Sequence, residues 1–138
     1  MTTTQSRLIV LKFGSSVLRS AADLPVAVHE IYSELRERRR IVAVVSAFAG
    51  VTDTLLAEAR QFGLTGHALA DHVGKGEQRT AHELAQVLNV AGVPARVADP
   101  RDFAFRARGD VLDATPHDVD AANLQAQLRE VPVLVVPG

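Results

Sequence analysis

The sequence predicts an α/β fold, a three-layer αβα sandwich built on a mainly parallel sheet. Two uninterrupted apolar runs, Leu8-Ile9-Val10-Leu11 and Ile41-Val42-Ala43-Val44-Val45, have strand length and do not alternate, the pattern of parallel strands covered on both faces. One amphipathic stretch separates them, which makes a βαβ unit. A third apolar run, Val131 to Val136, lies near the end of the chain behind another helical stretch.

In chain order, the first run delivers Lys12 and Gly14 to its carboxyl end, the edge at which open α/β sheets bind ligands. A lysine, a glycine that lets backbone approach an anion, and the hydroxyls of Ser15 and Ser16 compose a phosphate cradle. Ser20 to Asp23 caps a helix in which Leu24, Val28, Ile31 and Leu35 recur at spacings of four, three and four. Arg36, Arg38, Arg39 and Arg40 then read as a solvated helix terminus, where cations complement the helix dipole. After the second strand, Ser46 to Asp53 is a small-residue turn into a helix over Thr54 to Phe62, closed by Gly63.

Glycines at 63, 66, 74 and 76 make Leu64 to Lys75 a loop or a brief helix. A longer helix is expected from about Glu77 to Ala91, with Leu84, Val87, Leu88 and Ala91 inward and Gly92 as its stop. Val93 to Ala98 reads as a strand that Asp99 to Asp102 breaks. Phe103 to Pro116 lacks a helical period and is expected to be extended or hairpin-like. Asp118 to Glu130 is helical, with Ala121, Leu124 and Leu128 in register, and Val131 to Val136 is the last buried strand. A single domain whose chain stops at Pro137-Gly138, straight after a core strand with no following helix to cover it, reads as cut rather than finished. No repeat, low-complexity segment or interdomain linker interrupts it.

At 138 residues the chain buries roughly two thirds of its unfolded surface. A net charge of −1 without a concentrated basic patch gives no basis for a nucleic-acid or acidic-membrane partner. The absence of cysteine excludes disulfides, thiolate metal sites and cysteine nucleophiles, and fits a reducing compartment. No apolar run approaches the roughly 20 residues that span a bilayer, and Met1 to Ser6 has no signal-peptide character, so a cytoplasmic protein is the expectation.

Several chemistries have no support. Lys12 precedes its glycine, which is not the Walker order. His82-Glu83 is followed by Gln86 where a zincin-type pair needs a second histidine. His29, His67, His72 and His117 are scattered and read as surface or capping residues, so no metal ligands are assigned. Ser46 sits in V-S-A-F, with no G-x-S-x-G around it. Three polar junctions remain: Lys12 to Ser16, Ser46 through Thr52, and Gly76 to Thr80. In a parallel sheet at least the first two share one edge, where a cation, hydroxyls, helix-start amides and a carboxylate suit a small zwitterion and a nucleotide phosphate. Glu77 could equally complement a helix dipole in a first turn, and Thr52 could be an N-cap.

KFGSSV, then VVSAFAGVTDTLL, then GEQRTAHELAQVLNVAGVPA together resemble the amino-terminal half of an aspartate kinase of the amino-acid kinase family, over Leu8 to Gly138 apart from the segment between Phe62 and Gly76. Glutamate 5-kinase, acetylglutamate kinase and uridylate kinase share the fold and a first-strand lysine, but the S-A-x-A-G-V-T-D and G-E-x-x-T pair resembles aspartate kinase. The resemblance implies transfer of a phosphoryl group from ATP with Mg2+ to the side-chain carboxylate of L-aspartate, in a free kinase or one fused to homoserine dehydrogenase, and it admits a homo-oligomer. By that likeness Lys12 stabilises the transferred group, Gly14, Ser15 and Ser16 line the phosphate turn, Ser46 and Thr52 hold aspartate, and Glu77 pairs with its ammonium.

The chain departs from the family pattern in three ways. Ser15 stands where the family has a glycine, which strains the turn if its φ is positive. Gly63 to Lys75 replaces a much longer helical excursion. The family's later half, with its G-R-G-G-S-D segment and nucleotide-base site, is not in the sequence, so the chain by itself is expected to be inactive. The alternative that follows is a degenerate, non-catalytic kinase-like module with an assembly or regulatory role.

Overall fold

Residues Arg7–Phe13 (β1), Arg39–Val45 (β2), Val133–Pro137 (β6) and Ala95–Val97 (β3) form a four-stranded, wholly parallel sheet in that spatial order. The computed structural model describes residues 6–138, and the reading of the leader-free start at residues 1–5 lies outside them. Between the strands run the helices Leu24–Arg36 (α1), Val51–Gln61 (α2), Gly66–Val90 (α3) and Ala121–Glu130 (α4). A separate antiparallel hairpin pairs Arg106–Asp110 (β4) with Asp113–Asp118 (β5), as the aperiodic sequence there suggested.

The central strands are covered on both faces, which is why their sequences do not alternate. Ile41, Ala43 and Val45 of β2 and Val133 and Val135 of β6 point into one core with Ile31 of α1 and Leu84 and Leu88 of α3. Val42, Leu134 and Val136 point the other way, against Leu128 of α4 and Phe103. α1 starts with Pro25 in its first turn, where the missing N–H costs nothing, and α4 starts on Asp120, whose carboxylate accepts from the Asn123 N–H at 3.0 Å.

Four expectations change. β1 is not a strand buried on both faces: it is the sheet edge, with Leu8 46% and Val10 61% exposed, because α4 lies over β2 and β6 and only the Ile9, Leu11 and Phe13 side meets the main core. The arginine run is not one helix terminus. Arg36 ends α1, Arg38 turns the chain at φ 56°, and Arg39 and Arg40 begin β2, with Arg39 paired to Glu34. α2 begins at Val51 rather than Thr54. Most consequentially, Leu64 to Lys75 is neither a loop nor a brief separate helix: from Gly66 on it is the front of α3, which runs unbroken for 25 residues.

Candidate functional site

All four sheet strands are parallel, so the residues after Phe13, Val45, Val97 and Pro137 emerge at one edge. The first turn folds onto Gly14, whose carbonyl accepts from the N–H groups of Val17 at 3.0 Å and Leu18 at 2.9 Å, with the Leu18 side chain fully buried beneath it. The space a Cβ on Gly14 would enter is open. Ser15 and Ser16 are exposed, and so is Lys12, which stands on the sheet face opposite Phe13. Ser15 is not strained: among the described residues only Arg38 and Ala104 combine a side chain with positive φ.

The second turn is tied to the first by backbone. Ser46 N–H donates to Phe13 C=O at 3.1 Å, and Ala49 N–H to Arg19 C=O at 3.2 Å. Gly50, at φ 79°, is the residue that starts α2, and Thr54 Oγ1 donates to its carbonyl at 3.1 Å. Thr52 is therefore not an N-cap; it is an exposed residue of the first helical turn. Ser46 is half-buried.

The third junction lies mid-helix. Gly76 is buried, and a Cβ there would sit 2.9 Å from Ala47 Cβ, 3.1 Å from Val51 Cγ1 and 3.2 Å from Leu55 Cδ1. Only a glycine lets α3 come this close to the second turn and to α2. Thr80, fully buried one turn on, donates its hydroxyl to Gly76 C=O at 3.1 Å. The G-E-x-x-T spacing thus has a packing cause at both ends, and it fixes Glu77 beside the sheet edge. Glu77 is not in a first helical turn, so compensation of a helix dipole does not explain it. It is half-buried, and that burial holds its carboxyl above the ordinary carboxylate range.

Glu77 lines a cleft of about 560 Å³, together with Asp71, Gly74, Lys75 and Gln78 of α3, Asp99, Pro100 and Arg101 after β3, Phe105, and Pro137 and Gly138 at the end of β6. Asp99 and Arg101 pair with each other through two hydrogen bonds, of 3.0 and 3.1 Å, which hold the Asp99 carboxyl below its ordinary range. Asp99 also accepts from the Arg101 N–H at 2.9 Å, while Asp102 accepts from the Asp99 N–H at 3.0 Å. Sequence reading treated this segment as a strand break only. Its signal was positional, since it directly follows a strand of the parallel sheet.

Lys12, Gly14, Ser15, Ser16, Ser46 and Thr52 do not line the cleft. What joins them to it is backbone: Gly138 N–H donates to Val45 C=O at 2.8 Å, one residue before Ser46, and Ser46 in turn reaches Phe13. One ammonium and two exposed hydroxyls beside an open glycine fit a terminal phosphate. Among the described residues no three His, Asp or Glu side chains converge as a metal site. No helix among them is long and apolar enough to cross a membrane.

Comparison with known proteins gives three results. The model of the amino acid kinase family matches residues 7–138. A curated relative, aspartokinase 2 of Bacillus subtilis, is 27% identical over 140 residues, 95% of this chain but 33% of that protein. Among solved structures, aspartate kinase from Synechocystis superposes with a TM-score of 0.76 at 25% identity, over 95% of this chain and 22% of that one. E. coli aspartokinase III in complex with aspartate and ADP superposes with a TM-score of 0.80 at 17% identity, over 95% and 40%. The chain therefore spans about a third of the curated relative it matches.

Proposed function

The chain belongs to the amino acid kinase family, and from that premise we propose that it is the amino-terminal part of a cytoplasmic aspartate kinase, free or fused to homoserine dehydrogenase, that phosphorylates the side-chain carboxylate of L-aspartate. ATP with Mg2+ supplies the phosphoryl group, and the products are an acyl phosphate and ADP. The observation that carries this reading is the packing of Gly76 on Ala47, which holds a half-buried carboxylate at the same sheet edge as the hydroxyl-bearing turn and the lysine-bearing turn.

Each residue then has a physical task. Lys12 neutralises charge that builds on the transferred group, and the open side of Gly14 admits the phosphate to backbone, flanked by Ser15 and Ser16. Ser46 and Thr52 hydrogen-bond aspartate, and Glu77 pairs with its ammonium. None acts as a nucleophile, because phosphoryl transfer rests on positioning and charge. One protein that shares the fold, E. coli aspartokinase III, was crystallised with aspartate and ADP, which supports both ligands here.

In the full encoded protein, Lys12→Ala lowers aspartate-dependent ADP release by about 10²- to 10³-fold, the loss typical of a preorganised charge-stabilising donor. Unchanged turnover would refute the role given to Lys12. A second reading, a kinase-like module kept for assembly or regulation, draws support from the short connection, residues 62–65, between α2 and α3. Aspartate binding without any ADP release from the wild-type protein would favour it.

A further inference from the structure

We propose that the chain carries a second ligand site, for a polyphosphate anion, at the end of the sheet opposite the candidate aspartate site, with Arg40 and Arg129 as its main cations and Arg7 at its rim. It does not depend on the aspartate reading. Parallel strands that gather the three turns at their carboxyl ends gather their amino ends as well: Arg7 begins β1, Arg39 and Arg40 begin β2, and Pro132 precedes β6. The seven-residue length of β1, about 20 Å, separates the two ends. There a cleft of about 530 Å³ opens between the strand starts and α4, a size that suits a small ligand. Leu8 and the buried Leu128 supply its apolar floor. Arg40 is the register neighbour of Leu8 and shares the sheet face of Val42, which packs with α4; Gln125 and Arg129, one helical turn apart, meet it from that helix.

Among the described residues nothing neutralises this groove. Arg7, Arg40 and Arg129 make no ion pair there, no acid lines the cleft, and residues 1–5 contain no carboxylate side chain. Of the acids near these arginines in sequence, Glu34 is engaged by Arg39 and Glu130 by Arg96 at 2.9 Å, and Glu37 lines no part of the groove. A smaller cavity of about 320 Å³ adjoins the first through Ser6 and Arg40 and adds Arg38, again with no acid in its lining. Arg38 holds a φ of 56°, where a glycine or an asparagine would sit at less strain. Cations crowded without partners repel one another, and an anion of several charges relieves that repulsion. The guanidinium fork matches two oxygens of one phosphate, and successive phosphates offer such pairs in a row, which a single carboxylate does not.

The test is calorimetric titration of the full encoded protein with inorganic tripolyphosphate. Arg40→Gln and Arg129→Gln should each weaken binding about tenfold, the worth of one charge-assisted hydrogen bond, and raised salt should weaken it in the wild type. Arg40→Lys should recover only part of the loss, because an ammonium lacks the fork. Arg129 is exposed, so its variant carries the test even if Arg40→Gln fails to fold. Tripolyphosphate binding should persist in Lys12→Ala. Its loss there, with retention in the arginine variants, would place the anion in the first turn and overturn the proposal. Wild-type affinity in the Arg40→Gln, Arg129→Gln double variant would do the same, as would no binding at millimolar concentration, or a polyaspartate peptide held by these arginines more tightly than tripolyphosphate. Competition then separates the two sources of the anion. ATP that displaces tripolyphosphate at lower concentration than tripolyphosphate itself, with the advantage lost in Leu8→Asn, would support the site with a nucleotide as its ligand; ATP without that advantage would support it with free polyphosphate.

Discussion

Two glycines of α3, two positions apart, have opposite roles. Around Gly76 three side-chain carbons lie within 3.2 Å of where a Cβ would be, whereas around Gly74 nothing lies within 4 Å. Gly74→Ala should stabilise the protein by about 0.5–1 kcal/mol through helix propensity. Gly76→Ala gains the same propensity but must push α3 off Ala47 and Val51, a cost of about 1–3 kcal/mol, so the net change should be destabilising. Urea unfolding of the two variants checks this, and equal behaviour would show that the contact is soft. The sequence displayed Gly76-Glu77 as a junction worth weighing, yet spacing alone could not say whether that glycine starts a helix or lets one approach its neighbour. Ser15 shows the converse. The missing second glycine raised the prospect of a strained turn, and the backbone there takes a conformation open to any residue.

Among the elements, the strands were legible because each apolar run matched its burial, β1 excepted. Four apolar residues in a row cannot report whether a helix covers the second face, and at the sheet edge none does. The front of α3 was hidden by its own glycines. Its signal was a stripe of Leu69, Val73, Gly76 and Thr80, at spacings of four, three and four, that continues into Leu84 and Leu88; a glycine and a threonine in apolar positions masked it. α4 was the easier case, with Leu124 and Leu128 in register, and both pack in the second core. Its N-terminus depends on Asp120, whose carboxylate satisfies the Asn123 N–H. Asp120→Ala should cost about 1 kcal/mol, read as a lower urea midpoint at unchanged slope. A change of slope instead would indicate that α4 comes away from the sheet before the remainder unfolds.

At the scale of the molecule, the candidate site is a property of the parallel sheet, which gathers segments far apart in sequence at one edge. Asp99 and Arg101 could not be linked to Glu77 from the sequence, since only the position of β3 beside β6 brings the segment after it to α3. The gathering has a cost that depends on pH. Burial raises the Glu77 carboxyl above its ordinary value of 4.5, so between that value and the folded one the native state binds more protons than the unfolded chain. Stability from this group is therefore lost as pH rises through that window, and Glu77→Gln should remove the dependence; because the group is only half-buried, solvent screening keeps the effect under about 1 kcal/mol. A ligand ammonium reverses the sense, since it needs the ionised carboxylate. Saturating the protein at about 100 times Kd with L-aspartate should add about 2.7 kcal/mol at neutral pH, read as a rise in Tm. That increment should shrink as pH falls through the raised Glu77 value. The ligand's own side-chain carboxyl titrates near pH 3.9, below this range, and Glu77→Gln supplies the control, because its smaller increment should stay flat across the window. An increment in the wild-type protein that grew towards acid pH would mean that aspartate binds without the Glu77 carboxylate.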